Sequence, residues 1–295
     1  MEIVIVSVYA NHLFEVGTKN NSWAHLYEYI NTGDRVLDVG CSTGYFGEAL
    51  MQLKQCEVWG VDIDKGDIDE AKKRLTKALL IDINNTSNYK ELGRYDVIIF
   101  ADVLEHLIDP RATLENVKEL LVPGGRVIFS IPHMAHSSVR LDLLKGRFPY
   151  KNRGILDNTH LHFYDLQEAE SIFADAAYTI VQIDPVISKY PYALITEKLL
   201  EAGIKSTKKT EEYFSETGGD IFQIVGYAKT HKKGTPKQRD MEYIMPQDEM
   251  YQYVKTVEAE RANLETRLEE VLSSSSWKMT EPLRRVKTYI KKLKT

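Results

Sequence analysis

The sequence has little cysteine, no long apolar run and no strong charge excess. Its two cysteines, Cys41 and Cys56, form no CxxC pair. That excludes a disulfide-stapled scaffold and a thiolate zinc site. No apolar stretch approaches the roughly 20 residues needed to cross a bilayer as a helix. The opening MEIVIVSVYANH is apolar but short, contains Glu2, and lacks a basic start and a cleavage signal. It is not read as a signal peptide, and a cytoplasmic location is expected. A net charge of −5 argues against a general nucleic-acid binder. With 17 glycines and 9 prolines in 295 residues, the chain is neither fibrous nor of low complexity. What remains, 43% hydrophobic and 27% charged, is the balance of a folded domain.

The net charge conceals a split. Residues 278–295 hold seven basic residues and the single acid Glu281, a tail of +6 that leaves −11 on the rest of the chain.

From residue 34 to 131, strand-like and helix-like segments alternate. RVLDVG (35–40), EVWGVDI (57–63), ALLIDI (78–83), YDVIIFAD (95–102) and GGRVIFSIP (124–132) read as strands. GYFGEALMQL (44–53), KGDIDEAKKRLTKA (65–78) and PRATLENVKELL (110–121) read as helices between them. Repeated units of this kind predict an α/β fold, a mostly parallel sheet with helices on both faces. The unbroken apolar run of 95–102 suits a strand buried on both sides. After Pro132 comes a long segment, 133–164, rich in His, Arg, Gly and aromatics, and read as functional because of its length. A helix at 165–177, strands at 178–187 and 220–230, and a helix at 191–204 complete a domain spanning 1–230. A Lys-, Gly- and Pro-rich linker (231–247) leads to a helical tail (248–295). Met250, Val254, Val257, Arg261, Leu264, Leu268 and Val271 form a heptad seam suited to a homo-oligomer contact through 248–272. The end of the tail is a basic amphipathic helix with Leu283, Val286, Ile290 and Leu293 on one face. Such a helix can lie on an anionic membrane.

The sharpest signal is VLDVGCSTG (36–44), a strand turning into a helix through glycine. Asp62 ends the next strand, where a carboxylate can accept both hydroxyls of a ribose. The alternative, a dinucleotide G-x-G-x-x-G, needs glycines where Ser42 and Tyr45 stand. The run resembles the first motif, hhDhGxGxG, of class I S-adenosylmethionine-dependent methyltransferases, with Ser42 where that family more often has glycine. The resemblance implies a Rossmann-like seven-stranded fold and S-adenosylmethionine as cofactor. It also implies a cofactor site of Asp38, Gly40, Cys41, Ser42 and Gly44 in the loop and of Asp62 and Ile63 at the ribose. Asp82 and Ile83 would serve adenine, and Asp102 the methionine end. FADVLEHLIDP (100–110) resembles the D-hhEHh element of some of these enzymes, in which Glu105 and His106 border the active site.

The segment IPHMAHSSVRLDLLKGRFPYKNRGILDNTHLHFYD (131–165) resembles a narrower group, methyltransferase domains encoded with glycosyltransferases for bacterial surface polysaccharides. Here His133 replaces the usual Asn and His162 the usual Arg. HLFEVGTKNNSWAHLYEYI (12–30) resembles that group's lead-in, and SSSSWKMTEPLRRV (273–286) a tail element of glycan-synthesis proteins. The implied activity is O-methylation of a sugar of a glycan or glycolipid intermediate. A glycosyltransferase partner and a place at the inner face of the cell membrane go with it. Two other readings are a cofactor-binding scaffold of a glycan-assembly complex and a methyltransferase for a non-sugar small molecule. His133, His136, His160 and His162, four of the eight histidines, fall on this acceptor side. His160 is the first candidate for general base, with Asp157 to orient it, and His133 is the second; His106 is a further catalytic candidate. His160 and His162 alternate, so at most one can face the site. Arg140 and Arg153 are suited to an anionic group. HxxH with Asp157 is also a ligand set for a divalent cation, but nothing in its spacing requires one, and no metal is expected.

Overall fold

The computed structural model describes residues 5–6, 13–14, 20–231 and 246–274. Strand β1 (Arg35–Val39) lies at the centre of an eight-stranded sheet. On one side follow β2 (Glu57–Asp62) and β3 (Lys77–Leu80), both parallel. On the other lie β4 (Tyr95–Ala101) and β5 (Leu121–Pro132), also parallel. Beyond β5 the sheet turns antiparallel. It continues through β8 (Ile221–Thr230) to β6 (Tyr178–Ile183), with the short β7 (Val186–Ile187) also paired to β8. The order is thus β3-β2-β1-β4-β5-β8-β6. The chain reverses its direction of build between β1 and β4, and the crevice outside the carboxyl ends of such strands is where α/β folds bind ligands.

Helices cover both faces. They are α1 (Ser22–Glu28), α2 (Tyr45–Lys54), α3 (Lys65–Ala71), α4 (Pro110–Val117), α5 (Ser137–Leu144), α6 (Leu166–Asp175), α7 (Tyr192–Glu201) and α8 (Lys208–Glu216). Several starts follow from local chemistry. Asn21, Asp64, Asp109 and Asp165 each cap a helix by accepting from backbone N–H groups of its first turn, and Pro110 opens α4. Alternate residues of β4 face opposite layers. Ile98 and Phe100 join a core with Leu37, Phe129 and Phe173, while Val97 and Ile99 join one with Val36, Val58 and Ile128. All are fully buried or nearly so, which is why this strand has no polar alternation. Each such side chain contributes about 1.5–3 kcal/mol by leaving water.

Some elements depart from the sequence expectations. The strand expected at 178–187 is broken between Ile183 and Val186, at Asp184-Pro185, so among the described residues this sheet holds eight strands rather than seven. The strand expected to reach residue 83 ends at Leu80, and the helix expected to reach 78 ends at Ala71. The segment 133–164 holds α5, whose eight residues carry almost no apolar periodicity. Helix α8 was not expected, because KKTEEYFSE is mostly charged; a capping box between Thr207 and Thr210 starts it. Helices α5, α7 and α8 form a cap with a small core of its own, Leu141, Ile195, Leu199 and Phe214.

The chain divides into two compact units, Met1–Pro236 and Lys237–Thr295. In the second, α9 (Pro246–Ser273) is a single long helix. Its seam residues Val257, Leu264, Leu268 and Val271 are exposed, and Arg261 pairs with Glu265 one turn on. The basic helix expected at 283–293 lies outside the described residues, as does most of the expected linker. Among the described residues, no helix is long and apolar enough to cross a membrane.

Candidate active site

Two loops meet at the crevice, one after β1 and one after β4. The first turns sharply. Gly40 (φ +69°), Ser42 (φ +47°) and Gly44 (φ +79°) are all left-handed, before α2 begins at Tyr45. Left-handed backbone explains why glycine suits position 42; serine holds it through two bonds instead. Ser42 N donates to Asp62 Oδ2 at 2.9 Å, and Ser42 Oγ donates to Asp67 Oδ2 at 2.9 Å. Asp67 is a contributor that the sequence did not suggest. At Gly40 a Cβ would lie 2.6 Å from Val103 Cγ2, so the two loops touch where only glycine fits.

Asp62 closes β2 facing this turn. Its Oδ1 accepts from Asp64 N and its Oδ2 from Ser42 N, both at 2.9 Å. A carboxylate accepts about four hydrogen bonds, so about two places remain for a vicinal diol. Ile63 beside it is 76% exposed, an apolar surface suited to a flat ring. The side chains of Gly-rich loop, diol acceptor and apolar platform therefore fit a nucleoside-bearing cofactor.

Two expected contacts are narrowed. Cys41 is 4% exposed, and its Sγ packs where a Cβ on Gly60 would meet it at 2.5 Å, so its thiol faces inward. Ile83 is buried in the core, which leaves only its backbone for adenine, while Asp82 is exposed and accepts from Asn84 N and Nδ2.

Asp38 is 4% exposed at the end of β1. Burial, and then the charge of Asp62, push it up to about 7 from 3.8. The folded protein therefore holds this proton more tightly than the unfolded chain. Its contribution to stability is full below about pH 4 and is lost as pH rises towards 7, at roughly 1.4 kcal/mol per pH unit. Asp38→Asn is expected to remove that slope. Urea denaturation of both proteins at pH 5 and pH 7.5 checks this, and a wild-type minus variant difference independent of pH would contradict it.

The second loop begins at Asp102, again left-handed (φ +54°). Asp102 Oδ1 accepts from Ser130 Oγ at 3.0 Å and from Gln223 Nε2 at 2.5 Å. Burial pushes the carboxyl up, and these two bonds oppose the shift. Ser130 and Gln223 escaped the sequence reading because they lie on β5 and β8, far away in the chain.

Glu105 follows in a short turn. Its backbone carbonyl accepts from Leu161 N and His162 N, which brings the acceptor-side segment to this corner. His160 thereby places Nε2 3.9 Å from Glu105 Oε1. Its Nδ1 lies 3.1 Å from Ile155 O; a carbonyl only accepts, so the ring proton is on Nδ1. Burial, followed by His106, holds His160 below the usual imidazole value. The neutral ring thus turns the lone pair of Nε2 towards Glu105. Asp157 does not orient it. Its Oδ1 accepts from Thr159 N and Oγ1, at 2.9 and 2.7 Å, closing its own turn.

The other acceptor-side candidates are placed elsewhere. His133 is 1% exposed, with Nδ1 3.1 Å from Ile221 O and its ring edge packed near Gly218. His136 caps α5, with Nδ1 on Ser138 and Nε2 on Ser188 O. HxxH and Asp157 therefore do not converge as a ligand set. His162 lies beside Tyr164, the rings tilted with centroids 6.2 Å apart. Arg140 bonds Thr217 and lies over Phe214, which ties it to the cap.

Residues 17–183 match the family described as "Methyltransferase domain". The chain belongs to this methyltransferase family. The sheet also superposes on an S-adenosylmethionine-dependent methyltransferase from Archaeoglobus fulgidus with a TM-score of 0.50 at 18% identity, covering 70% of this chain and 92% of that one; this likeness concerns the fold. Over 103 residues the methyltransferase is 37% identical to a ubiquinone biosynthesis O-methyltransferase of Coxiella burnetii (strain Dugway 5J108-111), covering 33% of this chain and 43% of that protein. It is 38% identical over 102 residues to one of Cereibacter sphaeroides (strain ATCC 17029 / ATH 2.4.9), covering 33% and 41%. The matched region is thus less than half the length of these curated relatives. Residues 17–183 thus carry a methyltransferase domain.

Proposed function

We propose that this methyltransferase acts on a hydroxyl of a sugar in a glycan or glycolipid intermediate. S-Adenosylmethionine supplies a methyl group on a sulfonium centre already activated for displacement. In this reading Gly40, Ser42 and Gly44 admit the cofactor's backbone-close part, Asp62 takes the ribose hydroxyls, Ile63 meets adenine, and Asp102 marks the methionine end. What the acceptor side must add is alignment, which is worth roughly 7–11 kcal/mol for well-oriented reactants. Taking up the hydroxyl proton adds about 10²–10⁴-fold. His160 Nε2 and the Glu105 carboxylate are the groups in the corner that this proton can meet.

The observation that carries the reading is a run of rings leading from the corner to the surface. His160 contacts Phe163, Phe163 contacts Phe148, and Phe148 contacts Tyr150, with centroids 6.3, 5.3 and 5.3 Å apart. Phe148 and Tyr150 are exposed. Exposed aromatic faces beside a reaction corner suit a ring-shaped acceptor with an apolar face. The GRF and LDNTH motifs that carry the resemblance to polysaccharide-associated methyltransferases supply two of these rings, Phe148 and His160.

The test is mass spectrometry of surface glycans from cells with and without the protein. A sugar methyl group that depends on the protein is expected. Its absence, with purified protein that binds S-adenosylmethionine, favours either a scaffold or the second reading, a ring-bearing small molecule. The second reading draws on the relatives named for ubiquinone biosynthesis. The basic tail would hold the enzyme at the membrane where lipid-linked intermediates lie. Deleting 278–295 is expected to release the protein from anionic liposomes while leaving its unfolding transition unchanged; co-sedimentation that persists would move the membrane role elsewhere.

A further inference from the structure

Glu105 is the least satisfied carboxyl group among the described residues, and burial, followed by the charge of Asp102, pushes it well above its usual value. Its side chain is 1% exposed, and neither Oε1 nor Oε2 has a hydrogen-bond partner. An ionised carboxylate left so in a low-dielectric site is strongly disfavoured unless something positive neutralises it. Two histidines lie beside it. A nitrogen of His106, a nitrogen of His160 and an oxygen of Glu105 lie within 4.8 Å of one another. The two rings meet edge to face with centroids 4.8 Å apart.

The histidines are held in a telling way. His160 Nδ1 lies against Ile155 O, and His106 Nδ1 against Thr159 O. Both carbonyls only accept, so each neutral ring carries its proton on Nδ1 and keeps a lone pair on Nε2. Metal-binding histidines are commonly fixed by such a bond from the distal nitrogen to a backbone carbonyl. The corner therefore presents a carboxylate facing the lone pair of His160, with no donor between them. His106 is exposed, which gives an ion a way in.

We propose that Glu105, His106 and His160 bind one divalent transition-metal cation, of the zinc or manganese class. Two imidazoles and a carboxylate without thiolate suit such ions, and three protein ligands leave coordination positions for an acceptor oxygen. Ligand bonds of about 2.0–2.2 Å put two ligand atoms on one ion up to roughly 4.2 Å apart. The 3.9 Å between Glu105 and His160 already lies within that range, and wider separations close by a few tenths of an ångström. The site deepens the acceptor-hydroxyl reading and rests on it for its purpose. With His160 Nε2 and Glu105 engaged as ligands, a cation there would bind the acceptor oxygen and acidify its O–H in place of His160 or Glu105 taking the proton, which would leave to water.

Cobalt(II) is the probe. The full chain, freed of metal with a chelator and then titrated with Co²⁺, is expected to develop a visible ligand-field band that saturates at one equivalent. His106→Ala, which removes an exposed ring, and Glu105→Gln, which keeps the side-chain shape, are each expected to weaken Co²⁺ at least about tenfold, with circular dichroism unchanged. No saturable band on the folded protein, or equal affinity in both variants, overturns the site. Calorimetry with S-adenosylmethionine in chelator separates the two claims. Cofactor binding without a cobalt band removes the metal and leaves the methyl-transfer reading. A cobalt band without cofactor binding supports the metal and removes that reading.

Discussion

Replacing Asp62 with alanine is expected to lower S-adenosylmethionine affinity by roughly 100-fold or more. Two hydrogen bonds from ribose hydroxyls to a carboxylate are worth about 1.5–3 kcal/mol each. Losing that total, about 3–6 kcal/mol, amounts to about two to four decades in Kd. The change also strips Ser42 N and Asp64 N of their acceptor, so the turn after β1 loses the anchor that joins it to β2. Asp62→Asn keeps the side-chain shape and is expected to fall between the two. Isothermal calorimetry reads both. An unchanged affinity in Asp62→Ala would place the ribose somewhere else.

Gly40→Ala is expected to damage both halves of the site at once. A left-handed φ costs an alanine about 1–2 kcal/mol, and forcing a methyl into packed atoms costs about 1–3 kcal/mol. The methyl would arrive 2.6 Å from Val103 Cγ2, and Val103 stands between Asp102 and Glu105. The prediction is a destabilisation of about 3 kcal/mol, a melting point lower by roughly 6–12 °C, and loss of measurable cofactor binding. Gly124→Ala is the control. It has a similar φ (+84°) with nothing within 4 Å of the added methyl, so it meets only the backbone penalty. If the two variants melt together, the contact with Val103 is not what demands glycine at position 40.

The geometry of the candidate donor half was legible because its contacts are local. Gly40, Ser42 and Gly44 form one turn, and Asp62 ends the strand paired with β1, so motif and register together place them. The acceptor half depends on contacts between distant parts of the chain. Asp157 looked like the partner of His160 because it is close in sequence. An Asp two residues before a Thr closes a turn on itself, and that competing local bond took the carboxylate. The group that His160 does face, Glu105, is reached only because two backbone N–H groups at 161 and 162 dock on its carbonyl. Nothing in the residue types announces that docking. The same holds for Gln223, whose bond to Asp102 spans 121 positions. Of the fold, the buried strands were readable from unbroken apolar runs, whereas α8 was hidden by its charge and α5 by its lack of apolar periodicity.

The small core shared by α5, α7 and α8 makes the cap a cooperative unit in its own right. Four side chains hold it together, against more than twenty in the larger of the cores on the sheet. Local opening follows such differences in buried contacts, so the cap amides are expected to exchange with deuterium well before those of β1 and β4. The cap can therefore loosen without disturbing the register of the strands that carry Asp38 and lead into Asp102.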